Sequence, residues 1–251
     1  MNIEFLAIAN VVLLTRLVML LRDEAPSGFA WLRKGLFELL ALVLLYRFSV
    51  AWIGAAVTIA ATNYVGWRWD AATRQKNSAR LIVGVVALAA LSVFAAPVTG
   101  MKFYAFWSTV GAALVQRTAL TPLFELAASP KVQLVLFGLL FAANEANLII
   151  RAVFDWLRLK PQLRTGVAGV VEVDVGEYNR GRVIGLLERA LLYLFVLQGQ
   201  YGAIGFVLAA KAFTRFKALD DRPFAEYVLV GTLLSACLAV AVGTAVKALL
   251  G

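Results

Sequence analysis

Charged and amide side chains interrupt long apolar runs in the second half of the chain, and they are the groups there that could do chemistry. If these runs lie in a bilayer, each such side chain needs a partner or a purpose, because charge is costly at that depth. Three uses fit: a structural network between helices, a path for an ion or solute, or a site for a headgroup. The candidates are Asn144, Glu145, Asn147, Arg151, Glu188, Arg189, Gln198, Gln200, Lys211 and Glu226.

Within this set, Glu188 and Arg189 most clearly need partners from other helices. They are adjacent, and successive residues of a helix point about 100° apart, so they cannot satisfy each other well. Each therefore needs a partner on another helix. We predict that Arg189 pairs with Glu145 and that Glu188 pairs with Arg151. The second-choice partners are Lys211 and Glu226.

The chain contains no histidine and one cysteine, Cys237. This composition excludes a Ser-His-Asp triad, a His-based zinc motif and a disulfide within the chain. An enzyme would have to use Glu145 or Glu188 as the base, with Lys211 beside it. We therefore expect no catalytic residue, no metal and no cofactor.

The overall composition predicts where these residues lie. Hydrophobic residues make up 62% of the 251 residues and charged residues only 16%, and the mean hydropathy is +0.82. A soluble chain this apolar could not cover its surface with polar groups. We predict an all-α polytopic transmembrane helical bundle of six to eight hydrophobic segments, formed as a single integral membrane domain over residues 1–251.

The six prolines fall at the ends of the apolar runs or between them, as helix-breaking residues should. Run 35–65 would be roughly 46 Å long as one helix, against a hydrocarbon core of about 30 Å. It must either tilt or break near residues 47–49. Run 103–120 either spans the bilayer or lies in its interface, and run 201–213, of about 13 residues, is short for a span and is expected to re-enter. The other runs are 3–21, 81–98, 132–154, 183–199 and 224–250.

Clusters of Arg and Lys predict the orientation, because cytoplasmic loops are rich in these residues. The clusters place residues 68–80, 156–182 and 214–223 in the cytoplasm. Alternating valines at 171–175 predict a short strand in the second of these loops. The net charge of +9 then reflects basic loops and anionic lipid headgroups, and we expect no nucleic-acid partner.

Small residues at helical spacing predict where helices pack closely in lipid. Gly231, Ser235, Ala239 and Gly243 follow at steps of four and form one stripe. Gly181 and Gly185 form a second, shorter motif of the same kind. We predict that these residues contact other helices of the same chain, rather than forming a homodimer face.

Four blocks carry a resemblance to a known family. They are NEANLIIR (144–151), GRVIGLLER (181–189), GQYGAIGFVLAAKAFTRF (199–216) and AEYVLVGTLLS (225–235). They resemble the C-terminal half of a family of uncharacterised bacterial multi-pass membrane proteins, defined as a domain of unknown function. Its members often carry histidine and aspartate in an earlier helix, where this chain keeps Asp70 and has no histidine. The resemblance implies a location in the bacterial cytoplasmic (inner) membrane and no particular reaction.

Two functions follow from these features. The first is a membrane-embedded scaffold or subunit, with membrane lipids and a second membrane protein as partners. The alternative is a small transporter or channel that uses the intramembrane polar cluster. A water-filled cavity lined by these side chains would favour transport, and a dry, fully paired cluster would favour the scaffold.

Overall fold

A computed structural model of the chain describes residues 2–20, 27–72, 76–96, 100–105, 126, 128–158, 175–214 and 222–251. Within these ranges the chain is helical apart from short connections and one isolated β-bridge. The all-α prediction is therefore confirmed for the described part of the chain. The chain divides into two compact units, Met1–Leu140 and Phe141–Gly251.

Among the described residues, the first unit contains five helices and the second contains a π turn followed by four helices. In the first unit these are α1 (Ile3–Leu20), α2 (Gly28–Leu45), α3 (Val50–Ala72), α4 (Lys76–Phe94) and α5 (Pro130–Leu140). In the second unit the π turn (Phe141–Glu145) continues into α6 (Ala146–Trp156), followed by α7 (Val175–Gln198), α8 (Tyr201–Thr214) and α9 (Arg222–Leu250).

Helix α1 lies at the centre of the first unit. Leu6, Ile8 and Leu13 are fully buried, and the helix packs against α2, α4 and α5. Ile8 belongs to a core that includes Leu42 of α2 and Leu91 of α4. A helix that is apolar on most of its faces can be buried in this way, and α1 therefore organises the unit.

The long run 35–65 breaks, which decides between the two alternatives left open by its length. Tyr46 leaves the helical backbone with φ −118° and ψ 142°, and it forms the isolated bridge with Phe103. Its hydroxyl donates to the carbonyl oxygen of Glu4 at 2.6 Å, and the Arg47 N–H donates to the carbonyl oxygen of Lys102 at 2.9 Å. The second bond satisfies the Arg47 N–H, which a continuous helix would have paired within itself.

Four helical stretches of the described chain are long and apolar enough to cross a membrane. They are Val50–Asp70, Asn77–Phe94, Pro130–Trp156 and Ala225–Leu250. Tyr201–Thr214 is apolar but shorter, as expected for the run 201–213. Most of the run 103–120 lies outside the described residues, so its choice between spanning and interfacial placement stays a prediction.

Helices extend further into the predicted loops than the sequence suggested. Helix α3 continues to Ala72 and α4 begins at Lys76, so most of the predicted loop 68–80 is helical. Helix α7 begins at Val175, so the end of the predicted loop 156–182 is helical too. The predicted strand 171–175 falls outside the described residues except for Val175, which starts this helix. Apolar runs mark only the apolar part of a helix, and charged residues such as Glu and Arg continue it readily.

In the second unit, α7 packs against the π turn, α8 and α9. Leu192 of α7 and Ala236 and Ala239 of α9 form a buried core. Ile204 and Leu208 of α8 pack against this core from their half-buried positions. The unit is therefore arranged around α7, the helix that carries Glu188 and Arg189.

Candidate functional site

Arg189 binds the backbone of the π turn. Its Nε donates to the carbonyl oxygen of Ala142 and its terminal Nη2 to that of Ala143, both at 3.0 Å. The arginine is only 5% exposed. A π turn replaces the usual i→i+4 pattern with i→i+5 bonds, and this irregularity makes carbonyl oxygens available to an outside donor. Arg189 thus holds α7 against the turn.

Asn144 and Glu145 lie on this same π turn and are buried. Asn144 Nδ2 donates to Glu145 Oε1 at 2.9 Å. Arg189 therefore contacts the segment that carries its predicted partner, Glu145. The two hydrogen bonds described above go to backbone carbonyl oxygens of that segment. Its predicted pairing with the Glu145 carboxylate stays a prediction.

Glu188 forms a salt bridge with Lys211, which joins α7 to α8. Their side chains are 16% and 18% exposed, respectively. The first-choice partner, Arg151, was wrong for Glu188. The chain reverses at Gly199, whose φ is +72°, and Glu188 and Lys211 lie equally far from this reversal along two antiparallel helices. Their side chains are therefore level with each other, which the sequence spacing alone did not show.

The remaining predicted cluster residues are less buried. Asn147 and Arg151 on α6 are half-buried, and Glu226 on α9 is exposed. Gln198 and Gln200 are exposed at the reversal between α7 and α8, with Gln198 about 14 Å along α7 from Arg189 at 1.5 Å per residue. The structure thus separates the reversal glutamines from the buried polar groups around Arg189.

The stripe on α9 does pack closely inside the second unit. A Cβ at Gly243 would come within 2.8 Å of Val196 Cβ on α7, and one at Gly231 within 3.1 Å of the Phe154 ring. Ser235 and Ala239, between them, are buried. The small residues let α9 approach its neighbours, as the spacing predicted.

The shorter motif on α7 shows no comparable close contact within the described part of the chain, so the packing predicted for it stays a prediction. A Cβ at Gly181 would meet no described atom within 4 Å, and one at Gly185 would meet only the Arg189 side chain, at 3.5 Å. Spacing identifies a helix face but does not say whether another helix covers it.

The first unit holds a second buried polar network that the sequence analysis did not single out. Lys34 Nζ lies 2.6 Å from Glu38 Oε1 and donates to Asn63 Oδ1 at 2.9 Å. Asn63 Nδ2 donates to Glu38 Oε2 at 2.7 Å, which closes a ring of three side chains. Thr15 Oγ1 of α1 also donates to Glu38 Oε1, at 2.6 Å. Glu38 is 1% exposed, so α1, α2 and α3 meet around a buried carboxylate.

A second ion pair lies where α3 meets α4. Arg80 donates from Nε to Asp70 Oδ1 at 2.7 Å and from Nη2 to Asp70 Oδ2 at 2.9 Å. Arg16 of α1 donates to the backbone carbonyl oxygen of Arg80 at 3.0 Å. The two-point geometry is the strong form of an arginine–carboxylate contact. It closes the α3–α4 hairpin and ties it to α1.

A cavity of about 10 Å³ lies between these helices, lined by Arg16, Lys34 and Glu38 together with apolar side chains. This volume is at the lower limit for holding a single water molecule. Two sequence signals could have pointed to the site. Arg16 interrupts the apolar first run, and Lys34 and Glu38 have the i, i+4 spacing of a helical ion pair.

These features fit one broad class of protein. The described chain is helical, four of its stretches are long and apolar enough to cross a membrane, and the described buried charges have partners; together this is consistent with a membrane protein. Comparison of the chain with family models, curated proteins and solved structures finds no match. The family resemblance of the second half therefore stays a prediction.

Proposed function

We propose that the protein is a multi-pass protein of the bacterial cytoplasmic (inner) membrane that acts as a membrane-embedded scaffold or subunit. The observation that supports this most is the closed ring of Lys34, Glu38 and Asn63, in which both carboxylate oxygens, the ammonium and the amide have partners. A transport site needs polar groups that are free to exchange partners with a solute. A satisfied polar network instead makes the packing of its helices rigid and specific.

The outer surface of the second unit also suits this function. Helix α8 has no buried residue, and Phe206 and Phe213 are 75% and 83% exposed. Large exposed apolar side chains of this kind suit contact with lipid or with another membrane protein. A subunit that docks on α8 would cover both rings without displacing the salt bridge of Glu188 with Lys211.

The experiment is purification of the tagged protein from native membranes after mild crosslinking, with the co-purifying proteins quantified by mass spectrometry. A scaffold should carry a stoichiometric partner that is lost in a Phe206→Ala/Phe213→Ala variant. The matched control is Phe29→Ala/Phe48→Ala, which removes two exposed rings from the first unit. Equal yields of all partners from both variants would remove the support that α8 gives to this function.

One observation favours the alternative, a small transporter or channel. The cavity beside Arg16, Lys34 and Glu38 has room for about one water molecule, so any path through it would suit protons rather than larger solutes. Purified protein in liposomes loaded with a pH-sensitive dye tests this directly. Proton flux that disappears in Glu38→Gln, and persists in the exposed-site control Glu226→Gln, would replace the scaffold proposal with a transport one.

A further inference from the structure

An open groove of about 420 Å³ runs between α2 and α3. It is lined by small residues, Gly28 and Gly35 on α2 and Ala60 on α3, and by larger ones that include Leu36, Tyr64 and Trp67. The volume falls within the range of pockets that hold small organic ligands. The surface of the groove is almost entirely apolar.

The groove exists because of residue size. Helices α2 and α3 pack closely where glycine allows it: a Cβ at Gly66 would lie 2.6 Å from the Trp31 ring, and one at Gly35 would lie 3.4 Å from Asn63. Leu36, by contrast, is 58% exposed on the outer side. Close approach of the two helices together with outward-pointing large side chains leaves a channel along their seam.

Indole donors are gathered at one end of this groove. Trp67 is 40% exposed, and its Nε1 would lie 3.0 Å from a Cβ at Gly28. Trp31 also lines the groove, and its buried Nε1 has no acceptor among the described residues. Tyr64, 59% exposed, packs edge-on against Trp67 with ring centroids 5.9 Å apart. Such side chains have an apolar body and a polar tip, and they are enriched where lipid chains meet headgroups.

One wall of the groove is the candidate span Val50–Asp70. Trp67 lies near the end of that span, three residues before Asp70, and Ala60 lies about 10 Å further along the helix at 1.5 Å per residue. The aromatic end is thus near the span's polar boundary and the apolar part runs toward its middle. This order matches the order of groups in a phospholipid, from ester carbonyl to hydrocarbon tail.

We propose that this groove binds one acyl chain of a membrane phospholipid, with Trp67 Nε1 donating to the ester carbonyl of that chain. The acyl chain fills the apolar seam between α2 and α3, and the headgroup lies beyond Tyr64 and Trp67. This site is specific and saturable, unlike the general contact of lipid with the rest of the apolar surface. It holds the α2–α3 pair together along a seam that Asn63 of the Glu38 network also lines.

The test uses delipidated full-length protein in detergent, with lipid binding followed by native mass spectrometry. The probes are dioleoyl phosphatidylglycerol and its diether analogue, which has the same headgroup and chains but no ester carbonyl. The wild-type protein should bind one ester lipid saturably and about two- to tenfold more tightly than the diether, as expected for one hydrogen bond. Trp67→Phe should lose this preference, and Trp69→Phe, an exposed tryptophan two residues away, should keep it.

A second pair of variants tests the groove itself. Ala60→Phe should fill the groove and weaken binding of both lipids more than tenfold, whereas Ala61→Phe, at the neighbouring exposed position, should bind like the wild type. If Ala60→Phe does not fold, Leu36→Trp fills the groove from α2, with the exposed Leu40→Trp as its control. Equal lipid binding by the groove variant and its control would overturn the proposal. So would non-saturable binding, or equal affinity of the wild type for ester and ether lipids.

Discussion

Arg189 donates from its Nε to the carbonyl oxygen of Ala142 at 3.0 Å, and so ties α7 to the start of a π turn in a neighbouring helix. A second bond, from the same guanidinium to Ala143, doubles the contact. Burying an arginine to 5% exposure is costly unless its donors are satisfied, and here backbone oxygens satisfy two of them. The buried carboxamide–carboxylate pair of Asn144 and Glu145 follows directly along the chain.

The first prediction concerns Arg189 and Glu145. Removing either charge alone should lower the free energy of unfolding by about 3–5 kcal/mol, because it leaves the other charge buried with less compensation. The double variant Glu145→Gln/Arg189→Gln should lose less than the sum of the two single variants. A double-mutant cycle on thermal stability in detergent measures this coupling, and strict additivity would show that the two residues do not interact.

The second prediction concerns the salt bridge between Glu188 and Lys211. Glu188→Gln should destabilise the protein by about 1 kcal/mol, since both side chains are partly accessible and solvent weakens the pair. Exchanging the charges, with Glu188→Lys and Lys211→Glu together, should recover most of the stability that either single reversal removes. The measurement is the melting temperature of the wild type, the two single reversals and the double reversal. A double reversal that melts no higher than the less stable single reversal would refute the pairing.

The third prediction compares two helical glycines. Gly243→Ala should lower stability by about 1–3 kcal/mol, because its new Cβ would overlap the stiff, β-branched Val196 side chain at 2.8 Å. Gly205→Ala on α8 meets no described atom within 4 Å and should be neutral or stabilising by up to about 1 kcal/mol through helix propensity. Unfolding curves of the two variants and the wild type, measured under the same conditions, test this difference in stability. Equal shifts in both variants would mean that α9 does not pack closely at Gly243.

The fourth prediction concerns Asp70 and Arg80. Asp70→Asn removes the charge from a two-point contact in which the aspartate side chain is 4% exposed, and it should cost about 3–5 kcal/mol. The double variant Asp70→Asn/Arg80→Gln should be more stable than Asp70→Asn alone, because no unpaired guanidinium remains. Limited proteolysis between α3 and α4, together with thermal melts, reports on this hairpin. A double variant that is less stable than both single variants would argue against the paired-charge explanation.

The fifth prediction tests the proposed orientation in the membrane. Ser78, in the first turns of α4, should lie on the cytoplasmic side, and Ser49, at the other end of α3, should lie outside. With Cys237→Ala as background, Ser78→Cys should resist a membrane-impermeant thiol reagent in whole cells and Ser49→Cys should react. The reverse labelling pattern would invert this half of the topology.

The sequence alone predicted the all-helical architecture and part of the helix packing. A chain that is 62% hydrophobic must bury or shield its helices, and prolines mark the ends of the apolar runs, so an all-helical architecture followed from composition and local chemistry. The stripe of small residues on α9 could also be predicted, because four residues at a spacing of four share one helix face whatever surrounds them. The short motif at Gly181 and Gly185 has the same spacing, yet a Cβ there would meet no atom of another described helix within 4 Å.

The tertiary structure decided which charges meet. Glu188 lies beside Lys211 rather than Arg151 because α8 folds back along α7 from the reversal at Gly199. The ring of Lys34, Glu38 and Asn63 combines a pair visible in the sequence with a residue 25 positions further along the chain from Glu38. Helical periodicity orders residues on one helix, but it carries no information about the rotation and depth at which a second helix packs. Those two quantities, set by the packing of whole helices, place each polar partner.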